Sequence, residues 1–175
     1  LLYYNPNISP QEEYTKRESE AERLVSEMQF KNKVNFVKSE YDPKRFFDAT
    51  KGMEMLPEGS ERCKLCYKMR LERSAQEALK LNCDYFTTTL SISPMKNSEV
   101  LNNIGEEIGK KAGVKHLPSD FKKKDGYKKS ILLSKQYSLY RQDYCGCIFS
   151  KAAREKQRND EFAGNGRHAS ESLNG

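Results

Sequence analysis

Apolar positions along this chain fall into two rhythms. Tyr14, Ala21, Leu24, Val25 and Met28 recur at helical spacing. Ahead of them Ser9-Pro10-Gln11-Glu12 reads as a helix start, with Ser9 as the cap, Pro10 in the first turn and Glu12 at the capping-box position. Asp42-Pro43 opens a shorter helix carrying Phe46 and Phe47. A long helix is predicted over residues 61–81, offering Leu65, Met69, Ala75, Ala78 and Leu79 for packing. Another starts at Asn97 and runs through Val100, Leu101, Ile104 and Ile108 to a stop at Gly113. A last helix is predicted near residues 127–139. The second rhythm is short, β-branched and aromatic. Residues 34–37, 84–89 and 114–117 read as strands, separated by a loop at 52–59, a polar loop at 91–96 and a basic loop at 122–126. Leu1-Leu2-Tyr3-Tyr4 reads as the end of a buried strand meeting a turn at Asn5-Pro6, so a first strand and helix are expected upstream of Leu1.

Strands that alternate with helices predict an α/β fold with a mainly parallel sheet flanked by helices. Ligands of such sheets bind outside the carboxyl ends of the strands. Three loops gather there: residues 5–9, the loop before Cys63, and residues 91–96. Residues 1–155 are expected to form one α/β domain. Residues 156–175 are expected to be a polar, disordered tail, because their composition buries too little surface to fold alone.

Charge and composition narrow the picture. Charged residues make up 32% of the 175 positions and the net charge is +6, which suits a polyanionic partner without requiring one. No apolar run approaches the roughly 18 residues a membrane span needs. The five cysteines occur as Cys63-x-x-Cys66, a lone Cys83, and Cys145-Gly146-Cys147. Close-spaced pairs of this kind point to metal binding or redox chemistry. Cys63 and Cys66 share one face at the start of a predicted helix, where the helix N-terminus, Arg62 and Lys64 favour thiolate. In the second pair the glycine permits the sharp backbone path that brings two such side chains together. That pair can join Cys63 and Cys66 in a four-thiolate zinc site, form its own redox disulfide, or serve neither role. Cys83 reads as a small core residue.

Two further stretches carry binding chemistry. Residues 87–96 run from a strand into a hydroxyl-rich loop with Thr88, Ser93 and Lys96, a cradle for a phosphate or nucleoside. Tyr140, Arg141 and Tyr144 interleave aromatic and cationic groups, suited to an unpaired base and a phosphate, with Lys122–Lys124, Lys128 and Lys129 nearby to guide a backbone.

Taken in order, Tyr4-Asn5-Pro6-Asn7-Ile8, Glu61-Arg62-Cys63 with Cys66-Tyr67 and Arg70-Leu71, Thr87-Thr88-Thr89-Leu90 with Ser93-Pro94 and Lys96, and Tyr140-Arg141-Gln142 with Tyr144-Cys145-Gly146-Cys147 resemble the QueH-type epoxyqueuosine reductases over roughly residues 1–155. The resemblance implies a Rossmann-like domain related to the nucleotide-hydrolase folds. It implies a cytoplasmic oxidoreductase of queuosine biosynthesis, which removes the epoxide oxygen of epoxyqueuosine in the tRNA anticodon loop using an iron–sulfur cluster, expected to be [4Fe-4S], without cobalamin. An external donor such as a ferredoxin or flavodoxin is implied. Cys63 and Cys66 match the family's C-x-x-C cluster ligands, and Cys145 and Cys147 its C-x-C, expected here as a redox or structural pair. Tyr67 and Arg70 are the catalytic candidates. Asn5, Asn7, Thr88, Ser93, Lys96, Arg141 and Tyr144 are the substrate-binding candidates. The family's two adjacent N-terminal cysteines have no counterpart here, in keeping with the expected missing start, and a chain without them is expected to be inactive. The rival expectation is a zinc-stabilised interaction module, held by four cysteines and binding nucleic acid or protein.

Overall fold

A computed structural model describes the backbone of residues 1–171 and side chains through residue 160. The elements are β1 (Leu2–Tyr3), α1 (Gln11–Glu27), β2 (Val37–Lys38), α2 (Pro43–Ala49), α3 (Glu61–Lys80), β3 (Tyr85–Phe86), α4 (Ser98–Ala112), β4 (Lys115–His116), α5 (Gly126–Gln136) and α6 (Ile148–Glu171). β1 pairs with β2 in parallel, Leu2 opposite Val37. β3 pairs with β4 in parallel, Tyr85 opposite Lys115. α1 lies within the first crossover and α4 within the second, as parallel pairing requires. The α/β class and the parallel pairing are those predicted. Among the described residues the strands form two separate two-stranded sheets.

Local chemistry explains most boundaries. Asn97 caps α4 by accepting the N–H groups of Glu99 and Val100, and Gly113 ends that helix in the left-handed region at φ 78°. Asp42 accepts the Arg45 N–H at the start of α2. α1 departs from expectation: it begins after Pro10, with no side-chain cap. The Ser9 N–H is committed elsewhere, to the Gly146 carbonyl at 3.0 Å. The strands are shorter than their β-rich segments. Thr87 donates its hydroxyl to the Leu117 carbonyl and Thr88 accepts the Leu90 N–H, so a 3-10 turn, Thr89–Ile92, replaces the end of the predicted strand. Leu79 is 46% exposed and does not pack as expected, and Cys83 lies at the surface, not in the core. α6 extends through residues 156–171, and residues 172–175, the end of the predicted polar tail, lie outside the described residues.

One apolar cluster joins α3, α4 and the second sheet through Leu71, Ala75, Ala78, Phe86, Ile108 and Val114. Gly109 of α4 lets the helix lie on β4, since a Cβ there would come within 2.7 Å of the Val114 carbonyl oxygen. A second cluster, Tyr3, Ile8 and Tyr14, fastens α1 to the first sheet. A third, Phe46, Cys66, Met69 and Cys147, joins α2, α3 and the start of α6. Cys66, Cys145 and Cys147 therefore sit where three helices meet, while Cys63 packs with Tyr67 and Leu101 between α3 and α4.

Candidate functional site

α3 places Cys63, Cys66, Tyr67 and Arg70 along one stripe at three- and four-residue spacing, and all four line a cavity of about 900 Å³. The opposite wall is the loop into α6, with Tyr144, Cys145 and Cys147. Asn5 and Asn7 enter from the end of β1, Ser93 and Lys96 from the loop before α4, and Arg141 from the segment after α5. The structure thus collects every predicted site residue except Thr88, whose side chain caps the 3-10 turn and which is not among the cavity's lining residues.

The thiols differ in their surroundings. Cys63 Sγ accepts the Gly59 N–H at 3.3 Å. Burial pushes the Cys66 thiol above its ordinary range, with the nearby Arg70 charge opposing it. Cys145 and Cys147 lie with their sulfurs 3.4 Å apart as free thiols joined by a hydrogen bond. That bond, with burial opposing, draws Cys145 down, while it and burial together raise Cys147. Cys147 also caps α6, its sulfur accepting the Ser150 N–H at 3.4 Å. Among the described residues no three or more His, Cys, Asp or Glu side chains are grouped to hold a metal ion. The four thiols share one cavity, but among the described residues they are not drawn together as a four-ligand group. For an iron–sulfur cluster, Cys63 and Cys66 fit as two adjacent thiolate ligands: both are buried, both face the cavity from one helical turn, and one already receives a backbone N–H, as ligand sulfurs do.

The polar walls are built over long sequence separations. Arg17, a residue that the motifs do not single out, pairs with Glu13 at 2.7 Å and donates to the carbonyls of Tyr144 and Cys145 at 3.3 and 3.2 Å. Its guanidinium lies 5.1 Å from the Tyr144 ring centre. Gly146 must be glycine: its φ is 108°, and a Cβ would meet Ile8 at 2.7 Å and Arg17 at 3.0 Å. Asn7, 3% exposed, donates to the Cys145 carbonyl at 3.5 Å and accepts from Arg70. Among the described residues the buried Arg70 Nε has no partner. Lys96 forms a 2.6 Å ion pair with Glu58 and stands 5.9 Å from the Tyr67 ring centre. Burial raises the Tyr67 hydroxyl to about 12, with Lys96 opposing, so it is a hydrogen-bond donor at neutral pH. The Tyr140 hydroxyl donates to Glu13 and its N–H to Glu20, and Lys16 Nζ lies 3.6 Å from its ring centre, over one face. Arg62, expected to favour thiolate at the start of α3, lines the cavity but is buried and donates to the carbonyls of Met53 and Glu54 at 2.8 and 2.9 Å. Arg17, Glu58 and Ser150 are the site residues that sequence reasoning missed. Only the Glu13/Arg17 spacing gives a local signal, and it reads equally as a surface pair.

Comparison with known proteins places the cavity in a wider set. The family model described as "Epoxyqueuosine reductase QueH" matches residues 1–153. The chain is 41% identical over 152 residues to the epoxyqueuosine reductase QueH of Streptococcus pyogenes serotype M1, covering 86% of this chain and 60% of that protein. It is 40% identical over 156 residues to that of Staphylococcus epidermidis, covering 86% and 65%. It is 39% identical over 157 residues to that of Thermotoga maritima, covering 90% and 81%. The chain thus spans under two thirds of the first two relatives. Among the described residues no helix is long and apolar enough to cross a membrane.

Proposed function

This chain belongs to the QueH family of epoxyqueuosine reductases, and from that premise we propose that it carries out the reductive removal of the epoxide oxygen of epoxyqueuosine in tRNA. The observation that carries this reading is the convergence of the C-x-x-C thiols with Tyr67, Arg70, Lys96 and Tyr144 on one cavity large enough for a nucleoside. In the net reaction both carbon–oxygen bonds of the epoxide break, an alkene forms, and the oxygen leaves as water after taking up two electrons and two protons. Cys63 and Cys66 would supply two thiolate ligands of an iron–sulfur cluster, [4Fe-4S] in this reading and without cobalamin. When bound, such a group supplies the electrons and a Lewis-acidic iron.

The chain's own residues divide the remaining work. The Tyr144 ring, held by Arg17, offers a stacking face for the modified base. Arg141, whose only hydrogen bond among those described is to Ser134, is free to meet an adjacent phosphate. Asn5, Asn7 and Ser93 border the floor that receives the substrate's hydroxyls. Arg70 offers its unpartnered Nε–H, and Tyr67 its hydroxyl, to the oxygen that leaves. Cys145 and Cys147 stand as a redox or structural pair at the same wall. Low-potential electrons would come from an external ferredoxin or flavodoxin, and the site of action is the cytoplasm.

The test is to purify the intact protein anaerobically, measure iron and acid-labile sulfide, and assay conversion of epoxyqueuosine-tRNA with dithionite or reduced flavodoxin. Cys63→Ala and Cys66→Ala are each expected to lose iron and sulfide together and to lower turnover at least about 10³-fold. Cys83→Ala, at the surface, is expected to leave both unchanged. Stoichiometric zinc without sulfide, or an intact epoxide after reduction, would rule the reading out.

A further inference from the structure

One carboxylate ties together three walls of the cavity. Glu58 precedes α3, and its two oxygens reach separate parts of the chain. Lys96 Nζ donates to Oε1 at 2.6 Å, and Ser150 Oγ donates to Oε2 at 3.4 Å. Ser150 in turn holds the cysteine loop: its hydroxyl accepts the Cys145 N–H at 3.3 Å, and its N–H donates to Cys147 Sγ. The loop bearing Lys96 is pinned separately by Lys122, whose ammonium donates to the Ser91 and Lys96 carbonyls at 3.0 Å each. The Lys96 backbone is therefore fixed from one side and its ammonium from the other.

The two partners differ in exposure in a telling way. The Lys96 side chain is 9% exposed, while that of Glu58 is 34% exposed. A lysine stem has four rotatable bonds, and a buried ammonium without a partner is costly. A carboxylate at 2.6 Å removes both problems: it selects one rotamer and keeps the charge. A surface ion pair of ordinary kind would hold two exposed groups. Here it holds a mostly buried cation against the cavity, beside the Tyr67 ring.

We propose that Glu58 is a positioning residue, which holds the Lys96 ammonium where it donates a hydrogen bond to the oxygen leaving the substrate. The proposal rests on the reductase reading above and adds to Arg70 and Tyr67 a third donor, among the described residues the only one of the three with a carboxylate partner that fixes it on the departing oxygen. Lys96 stays protonated throughout. The two protons of the water come from solvent, the two electrons from the external reductant, and the ammonium contributes only its charge and its hydrogen bond.

The experiment is a double-mutant cycle in the intact protein with Glu58→Gln, Lys96→Met and the pair combined, assayed on epoxyqueuosine-tRNA. Gln is isosteric and keeps an amide oxygen for Lys96 to donate to, so the fold and the iron content are expected to hold, with Tm lowered by loss of the carboxylate's charge. Glu58→Asp is the second variant if they do not, and is expected to show an intermediate loss. Glu58→Gln should lower kcat about 10- to 100-fold with KM within about twofold, and Lys96→Met about 10²- to 10³-fold. The double variant should be no slower than Lys96→Met alone, because Glu58 acts through Lys96. Independently of activity, trace acetylation read by mass spectrometry should modify Lys96 several-fold faster in Glu58→Gln than in the wild type. Losses that multiply in the double variant, or unchanged Lys96 labelling, would overturn the proposal. A wild type that holds matching iron and sulfide yet is inactive would instead overturn the reductase reading, and an active wild type with a fully active Glu58→Gln only the Glu58 proposal.

Discussion

The two ends of α3 are held in place by different physics. Its C-terminal half packs Leu71, Ala75 and Ala78 against Phe86, Ile108 and Val114, an apolar contact needing no specific partner beyond the right volume. Its N-terminal half carries Cys63, Cys66, Tyr67 and Arg70 and faces walls fixed by directed bonds: Arg17 to two carbonyls, Asn7 to Cys145 and Arg70, Glu58 to Lys96 and Ser150. The difference teaches how one helix serves both purposes. The packed half sets where the helix lies, and the bonded half sets where the reactive groups point. Damage to the first should appear in stability, and damage to the second in catalysis.

The contrast is broken most strongly at Leu71, which is fully buried. Leu71→Ala is expected to cost about 2–5 kcal/mol of unfolding free energy, a large share of a typical domain's total. The molecules that remain folded should keep kcat near wild type. Urea unfolding alongside turnover per folded protein checks both halves, and a collapse of kcat at unchanged stability would contradict the division. Arg17→Met should show the opposite balance. Losing the guanidinium bonds to the Tyr144 and Cys145 carbonyls is expected to cost about 1–3 kcal/mol, because two half-buried acceptors lose a charged donor. Turnover should fall about 10- to 100-fold, because the Cys145-Gly146-Cys147 loop loses its register against α3. Equal effects of the two substitutions on stability and on kcat would erase the distinction.

Legibility from sequence follows the same line. The packed half is open to reading because its signals are local: the Asn97 cap, the Gly113 stop and the helical spacing of Leu101, Ile104 and Ile108 name α4 directly. The C-x-x-C stripe is legible for the same reason. Arg17 and Glu58 are not, since their partners lie 128 and 92 positions away and nothing near either residue marks the contact. Ser9 has the look of a cap, but α1 begins one residue later, after Pro10, and the Ser9 N–H ties the chain to the distant Gly146 carbonyl. Thr87 and Thr88 have strand composition, yet their hydroxyls bond to backbone and bend the chain. Cys83 breaks the general tendency of cysteine to be buried.

The smallest expected effect sharpens the comparison because it belongs to the packed half alone. His116, at the end of β4, lies against Gly105, where a Cβ would come within 2.4 Å of its Nε2, and 5.2 Å from the Phe86 ring centre. Among the described residues neither ring nitrogen has a hydrogen-bond partner. Burial lowers its pKa from the ordinary histidine value, and the charge of Glu106 on α4 opposes that shift. The folded state therefore holds this imidazole neutral in a range where the unfolded chain takes up a proton. Stability from this group is fully present above the unfolded pKa of about 6.5 and is lost as pH falls below it. Urea midpoints measured from about pH 7.5 down to about 5.0 should fall, and in His116→Leu they should fall less steeply over the same window. Because His116 is remote from the cavity lining, turnover of the variant at neutral pH should match wild type. A variant whose midpoints fall as steeply as wild type would assign the acid sensitivity to other groups. A variant with lost turnover would show that the packed half reaches further into the site than the division allows.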